Sequence, residues 1–455
     1  MLRAMSPSTT ALDPTTVATF RYVDVDVDEA AGAVRCRYAL DDQVQFEEVV
    51  EIGGVPSAAW SRPGVDEAVR LLHLLAGISY YKAAAPPVVD LGDVGVRAED
   101  RELLRAFHVD GLGEYAARND LDLTDLRFTG GTDPGGPSAG VEVDPDAVLV
   151  PFGGGVDSIV TLEGLRPRVA RPELFVLTRG RTRFAALEEA AAATGLPVRR
   201  ATQLLDPKIL RSDELGYRNG HVPVTGVLSA IALLTAALHG HGAVAMSNEW
   251  SASHGNLEHA GRSVNHQWSK SLAFEQLLRD SLAAAWTTPV TYYSWLRARS
   301  EIWVAERFAR LERYHPVFRS CNRAFAIDPA RRATGWCGEC DKCLFIDLVL
   351  APFLTPQQLR EVFDEPEPLD RPEQLDPLRT LVGSSGDAKP FECVGDVDEC
   401  RVAAVLAADR PDRAGQQLLQ QVVAELGSDA DAARAAADTM LEPFGEDLVP
   451  DAHAP

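Results

Sequence analysis

The stretch Ala147-Val148-Leu149-Val150-Pro151-Phe152-Gly153-Gly154-Gly155-Val156-Asp157-Ser158-Ile159-Val160-Thr161 decides how this chain is built. An apolar, β-branched run delivers the backbone into three consecutive glycines, and an acidic residue, a serine and an apolar helical start follow. That order spells strand, loop and helix N-terminus. Glycines let backbone N–H groups approach an anion, the helix dipole adds partial positive charge, and the Ser158 hydroxyl can donate to a phosphate oxygen. Phe152, Gly153, Gly154, Gly155, Val156, Asp157 and Ser158 are therefore candidate nucleotide-binding residues, with Asp157 suited to Mg²⁺ or to a helix cap. The plainer alternative is a tight strand-to-helix turn that holds nothing.

Gly153 to Ser158 resembles the SGGxDS loop of the PP-loop ATP pyrophosphatases, which split ATP between its α and β phosphates and leave AMP on an oxygen of the substrate. Gly153 stands where those enzymes carry serine, so one hydroxyl contact to the pyrophosphate must come from elsewhere or be dispensable. No Gly-Lys-Ser/Thr follows the glycines, which excludes a Walker A loop.

A chain of 455 residues has room for two or three domains and a sizeable core. Its formal net charge of −23, from 44 basic and 67 acidic residues, argues against general affinity for nucleic acid or an anionic membrane. A tRNA-modifying role is disfavoured on the same ground. Met1 to Phe20 carries no basic-then-apolar signal pattern, and no apolar run approaches the roughly 18 residues of a membrane span. A cytoplasmic protein is expected. Of seven cysteines, three fall within Cys337 to Cys343, which suits metal or catalytic thiols better than a disulfide frame.

The chain then divides as follows. Residues 1–19 read as a loose N-terminus. Residues 20–130 read as an α+β domain: Val23, Val25 and Val27 alternate with Asp24, Asp26 and Asp28, Arg35 and Arg37 alternate with Val34, Cys36 and Tyr38, and Val44 and Phe46 follow. Antiparallel strands with one wet face are expected, the Asp and Arg rows pairing across them. Helices are expected after Pro63-Gly64 and over Ala98 to Phe107. Ser79-Tyr80-Tyr81-Lys82 and Gly111 to Asn119 are polar-aromatic islands that are either ordinary surface or substrate contacts, with Lys82 and Arg118 the first phosphate ligands to consider.

Residues 145–345 read as the nucleotide-binding domain, with strands expected at Glu173 to Thr178, Val198 to Thr202 and Ala243 to Ser247 and helices at Phe184 to Thr194 and Val222 to Leu238. Alternation of this kind gives an α/β fold, a parallel sheet wrapped by helices, whose ligands sit at the carboxyl ends of the strands. The glycine loop, Thr178-Arg179 and Ser247-Asn248-Glu249 then share one rim. The polar segment from Ser247 to Lys270, with His266 and Lys270, reads as a binding loop. Residues 346–445 read as mainly helical, and 446–455 as a frayed tail.

Cys321, Cys337, Cys340 and Cys343 can supply four thiolates to one tetrahedral metal. Zinc, an iron–sulfur cluster and no metal at all remain the three readings of that spacing. A similar late cysteine cluster follows the PP-loop domain in the cyanodeazaguanine synthases, where it holds structural zinc.

Several blocks together resemble one family. They are Ser79 to Lys82, Phe152 to Ser158, Ser247 to Glu249, Asn265-His266-Gln267-Trp268-Ser269-Lys270, Arg319-Ser320-Cys321-Asn322-Arg323, Trp336-Cys337-Gly338 and Lys389-Pro390-Phe391-Glu392-Cys393-Val394-Gly395. They are similar to the bacterial UDP-N-acetylmuramoyl-L-alanyl-L-glutamate epimerases of the MurL type, and the likeness spans roughly Phe20 to Cys400. The resemblance implies ATP- and Mg²⁺-dependent inversion of the terminal L-glutamate of a peptidoglycan precursor, a UDP-N-acetylmuramoyl dipeptide supplied by a peptide ligase.

The chemistry is consistent with that resemblance. An α-proton beside a carboxylate is very weakly acidic, because the carbanion would adjoin a negative charge. An acyl-adenylate removes the charge, and each unit of acidity gained lowers the barrier by up to about 1.4 kcal/mol. Cys393, with Glu392 beside it, leads the candidates for proton exchange, against the alternative of a small buried hydrophobe. Cys321 could oppose it if it is not a metal ligand, and His266 is a further acid or base. Lys270, Arg179 and Lys82 are candidates for phosphates or the γ-carboxylate. Asp157 and Glu249 are the Mg²⁺ candidates. The competing classes are an adenylating ligase or amidotransferase and a nucleotide-binding regulatory module without turnover.

Overall fold

The structure, a computed structural model, describes residues 12–455 apart from 256, 260, 326–331, 365 and 386–393. Strands β1 (Thr19–Asp28), β2 (Ala33–Leu40) and β3 (Val44–Ile52) form an antiparallel meander, extended on its outer side by β4 (Val88–Asp90) and β5 (Arg127–Thr129). β6 (Asp144–Pro151), β7 (Arg171–Arg179), β8 (Val198–Leu204), β9 (His241–Met246) and β12 (Thr291–Ser294) pair in parallel, while β10 (Leu257–His259) and β11 (Arg262–Val264) make a separate ribbon. The parallel strands run β8-β7-β6-β9-β12, an order of 3-2-1-4-5 counted within that unit. The order reverses between β6 and β9, and such a switch point opens a crevice at the carboxyl ends of the strands.

The central parallel strands β6, β7 and β9 bury both faces along their apolar runs, whereas β8, carrying Arg199, Arg200 and Gln203, is largely half-buried. Leu149, Phe175 and Val244 pack toward the helices Val65–Ala76 and Val224–His239. Val148, Val150, Leu174 and Val176 pack toward Val156–Leu165, Glu301–Ala309, Asp341–Leu350 and Val397–Ala408.

The two halves of the sheet are continuous. β3 pairs antiparallel with β8 from Val49 opposite Leu204 to Ile52 opposite Ala201, so ten strands form one surface. The acidic and basic rows of the meander do pair: Arg37 Nη1 lies 2.6 Å from Asp24 and its Nε 2.9 Å from Glu47. The valine row of β1 departs from expectation. A register shift between Tyr22 and Asp24 carries the strand past the core, and Val23 and Val25 stand 44% and 36% exposed. Flanking aspartates keep that edge from pairing with another chain. The C-terminal tail is anchored rather than loose. Tyr293 Oη lies 2.8 Å from His453 Nδ1, Trp295 Nε1 donates to the His453 carbonyl at 2.8 Å, and Arg168 Nε donates to the Ala454 carbonyl at 2.6 Å.

Candidate functional site

β6 ends at Pro151, and Phe152 N–H donates to the Phe175 carbonyl at 2.8 Å, which fixes where the glycine loop leaves the sheet. Gly154 has φ +73°, a conformation that admits glycine at no steric cost, and a side chain there would press on Ala190 and Leu187. Gly155 is the N-cap of the Val156–Leu165 helix and offers no side chain to cap it, so the first-turn N–H groups are available to an anion. Ser158 Oγ turns back to the Gly155 carbonyl at 3.1 Å.

This loop forms one wall of a cavity of about 510 Å³. Phe152, Gly153, Gly155, Asp157, Ser158, Ser247, Asn248 and Lys270 all line it, so the glycine loop and the loop after β9 meet at the switch point as the sequence suggests. Gly154 and Val156 support the loop from within rather than facing the cavity. Thr178 lies near the rim with its hydroxyl 3.4 Å from the Ala201 carbonyl, and neither it nor Arg179 lines the cavity. Phe184, Phe325, Arg319, Ser320, Asn322 and Lys342 are also in the walls. None of these six stands out as a ligand in the sequence.

Carboxylates gather beside the loop. Burial, then the Glu249 carboxylate, pushes the Asp157 carboxyl up to about 6, while Lys342 and Lys270 pull it down. Burial, Glu249 and Asp157 raise Glu301 well above the carboxylate range. Crowded acids of this kind are relieved by a divalent cation. Two carboxylates are also the protein share that Mg²⁺ usually takes when phosphates supply other oxygens, so Asp157 and Glu249 fit that ion.

Behind the cavity, Cys321, Cys337, Cys340 and Cys343 converge, their sulfurs all within 4.8 Å of one another. Cys343 Sγ lies 3.7 Å from Cys337 Sγ and 3.4 Å from Cys340 Sγ, and the Cys337 N–H donates to Cys321 Sγ at 3.4 Å. Four sulfurs so placed match a closed tetrahedral thiolate site. Cys321 therefore sits among these sulfurs.

His266 does not line the cavity. Its Nδ1 lies 3.2 Å from Glu114 Oε2, with His221 Nδ1 4.0 Å from the same oxygen and Arg118 Nε 2.7 Å from Glu114 Oε1. Burial, then the positive charges of Lys270, Arg118, Lys82 and Arg179, pushes His221 down to about 4. Glu114, His221 and His266 could geometrically hold a metal. Of the Ser79–Lys82 island, Tyr80 and Tyr81 are core residues, and Lys82 Nζ reaches Asn219 Oδ1 at 3.0 Å. Glu392 and Cys393 lie outside the described residues.

The class that fold and site define is an α/β protein with a cavity at the switch point of its parallel strands. The chain belongs to the MurL family: the MurL N-terminal domain matches residues 11–295 and the MurL C-terminal domain residues 317–437. It is 36% identical over 447 residues to a protein of Xanthomonas oryzae pv. oryzae named UDP-N-acetyl-alpha-D-muramoyl-L-alanyl-L-glutamate epimerase, covering 97% of each chain. Proteins of the same name from Salinispora tropica and a Micromonospora species are 39% and 36% identical, covering 86% and 96% of this chain and 85% and 96% of theirs. No helix among the described residues is long and apolar enough to cross a membrane.

Proposed function

We propose that this protein inverts the terminal L-glutamate of UDP-N-acetylmuramoyl-L-alanyl-L-glutamate to D-glutamate, consuming ATP and forming AMP and pyrophosphate by way of a carboxyl adenylate. The observation that carries the reading is the triple-glycine loop opening, at the sheet's switch point, into a cavity shared with Asn248 and Lys270. The names of the relatives supply the substrate.

In this reading the backbone N–H groups of Gly153 to Ser158 cradle the β and γ phosphates, as in a PP-loop pyrophosphatase. Lys270 and Lys342 add charge where the phosphate chain runs. Thr178, Arg179, Ser247 and Asn248 border the nucleotide, and Asp157 and Glu249 would hold Mg²⁺, whose charge would stabilise pyrophosphate as a leaving group. A substrate carboxylate oxygen attacks the α-phosphorus and pyrophosphate leaves. A base then takes the Cα proton from one face, an acid returns one from the other, and water splits the anhydride to release AMP.

With its Nδ1 held by Glu114, His266 is the proposed acid or base on one side of the proton exchange. Cys393, with Glu392 adjacent in sequence, is the proposed other side. The cations around His221 suit the diphosphate or γ-carboxylate of the substrate. The cysteine cluster would hold a structural metal, and zinc is the ion proposed among those that four thiolates accept. A peptide ligase that joins L-glutamate to the muramoyl-alanyl nucleotide would supply the substrate. The protein would work in the cytoplasm.

The test is Asp157→Ala assayed for AMP release and for chirality of the glutamate hydrolysed from the product. Both activities should fall about a hundredfold or more. Unchanged turnover removes the loop from the mechanism.

A further inference from the structure

The glycine loop has a second wall that its own sequence does not contain. The Arg319 N–H donates to the Gly154 carbonyl at 3.0 Å, which docks the segment from Phe318 to Asn322 onto the loop. A Cβ placed on Gly155 would meet the Ser320 hydroxyl at 2.7 Å, so that hydroxyl occupies the space a side chain at 155 would need. Ser320 lines the same cavity as Gly153, Gly155, Asp157 and Ser158. Its hydroxyl has no hydrogen-bond partner among the described residues, whereas Ser158, the loop's own hydroxyl, is turned back onto the Gly155 carbonyl. Cys321 follows immediately, and its sulfur sits among the four converging thiols, which pins the segment from behind.

Gly153 presents the complementary observation. A Cβ there would meet nothing within 4 Å, and its φ lies outside the left-handed region. No steric reason keeps serine from that position. Gly153 and the unengaged Ser320 hydroxyl beside Gly155 line the same cavity.

We propose that Ser320 is a ligand of the bound phosphate chain, supplying from a segment far downstream of the glycine loop the hydroxyl that Gly153 lacks. The inference rests on the nucleotide-binding reading above and extends the cradle to the turn that carries Cys321. A hydroxyl placed against the loop donates to a phosphate oxygen without displacing the backbone N–H groups. Its contact is with the β and γ phosphates, so AMP should not feel it.

The experiment measures equilibrium binding of Mg²⁺ with α,β-methylene-ATP, and separately of AMP, to the intact protein and to Ser320→Ala, Ser320→Thr, Gly153→Ser and the double variant Gly153→Ser/Ser320→Ala. Ser320→Ala should weaken binding of the triphosphate analogue about tenfold or more and leave AMP binding unchanged. Ser320→Thr should retain affinity, and the double variant should recover most of the loss. Equal weakening for AMP and the analogue, or no recovery from serine at 153, overturns the role of Ser320 as a phosphate ligand. Wild-type affinity in Ser320→Ala does the same while leaving the nucleotide reading intact. No binding of the analogue to the unaltered protein defeats both.

Discussion

Arg297 and Glu275 form an ion pair at 3.1 Å in which the two side chains are 1% and 2% exposed. The same guanidinium donates to the Glu249 carbonyl at 3.1 Å and to the Lys270 carbonyl, and Glu275 Oε1 accepts the Ser294 N–H at 2.9 Å. One buried pair thus fixes both ends of the loop that carries Ser247, Asn248, His266 and Lys270. Removing one partner leaves a buried charge unmatched. Arg297→Met should lower unfolding stability by about 3–5 kcal/mol, measured by urea denaturation, and a loss under about 1 kcal/mol would show that the pair does not organise the loop.

The cysteine cluster predicts metal content. The protein as purified should carry one equivalent of zinc by elemental analysis. Cys340→Ser should lose it and be destabilised by about 3 kcal/mol or more, whereas Cys36→Ala, in the meander, should keep it. Full zinc occupancy in Cys340→Ser would remove that thiol from the ligand set.

Glu114 predicts a split between the two half-reactions. Glu114→Gln keeps the shape but cannot stabilise a protonated His266. Epimerisation and solvent-deuterium entry at Cα should slow about a hundredfold, while pyrophosphate release stays within a few-fold of the unaltered protein. Glu114→Asp should restore part of the exchange. Equal loss of both half-reactions would indicate a structural role.

Acid sensitivity should come in part from His108. Burial pushes its imidazole down to about 4, so the folded protein keeps it neutral while the unfolded chain takes up a proton near its ordinary value of 6.5. Its contribution to stability is complete above 6.5 and is lost as pH falls toward 4. Glu48 and Glu399, raised by burial to about 7 and about 8, act in the opposite sense, so the comparison must be between variants. The stability difference between wild type and His108→Gln should shrink by roughly 3 kcal/mol from about pH 7 to about pH 4. Parallel stability curves would contradict it.

Much of this was legible in the chain because its signals are local. The run Ala147 to Thr161 encodes strand, turn and helix in one short, unbroken segment, and the spacing of Cys337 to Cys343 announces that their sulfurs converge. What stayed hidden depends on contacts that sequence order does not show. Glu114 meets His266 across 152 positions, and β3 finds β8 only once the sheet is assembled. Ser320 and Lys342 reach the cavity because the cysteine segment folds back onto the glycine loop. Alternation places Val23 and Val25 in a core that β1 has already left behind at its bulge.

The most direct measurement follows the glutamate Cα in D₂O. The protein is incubated with UDP-N-acetylmuramoyl-L-alanyl-L-glutamate and Mg²⁺, with and without ATP, and the product is analysed for deuterium, glutamate chirality and pyrophosphate. Deuterated D-glutamate should form only when ATP is present and should be accompanied by AMP and pyrophosphate. Inversion at the same rate without ATP would contradict the account.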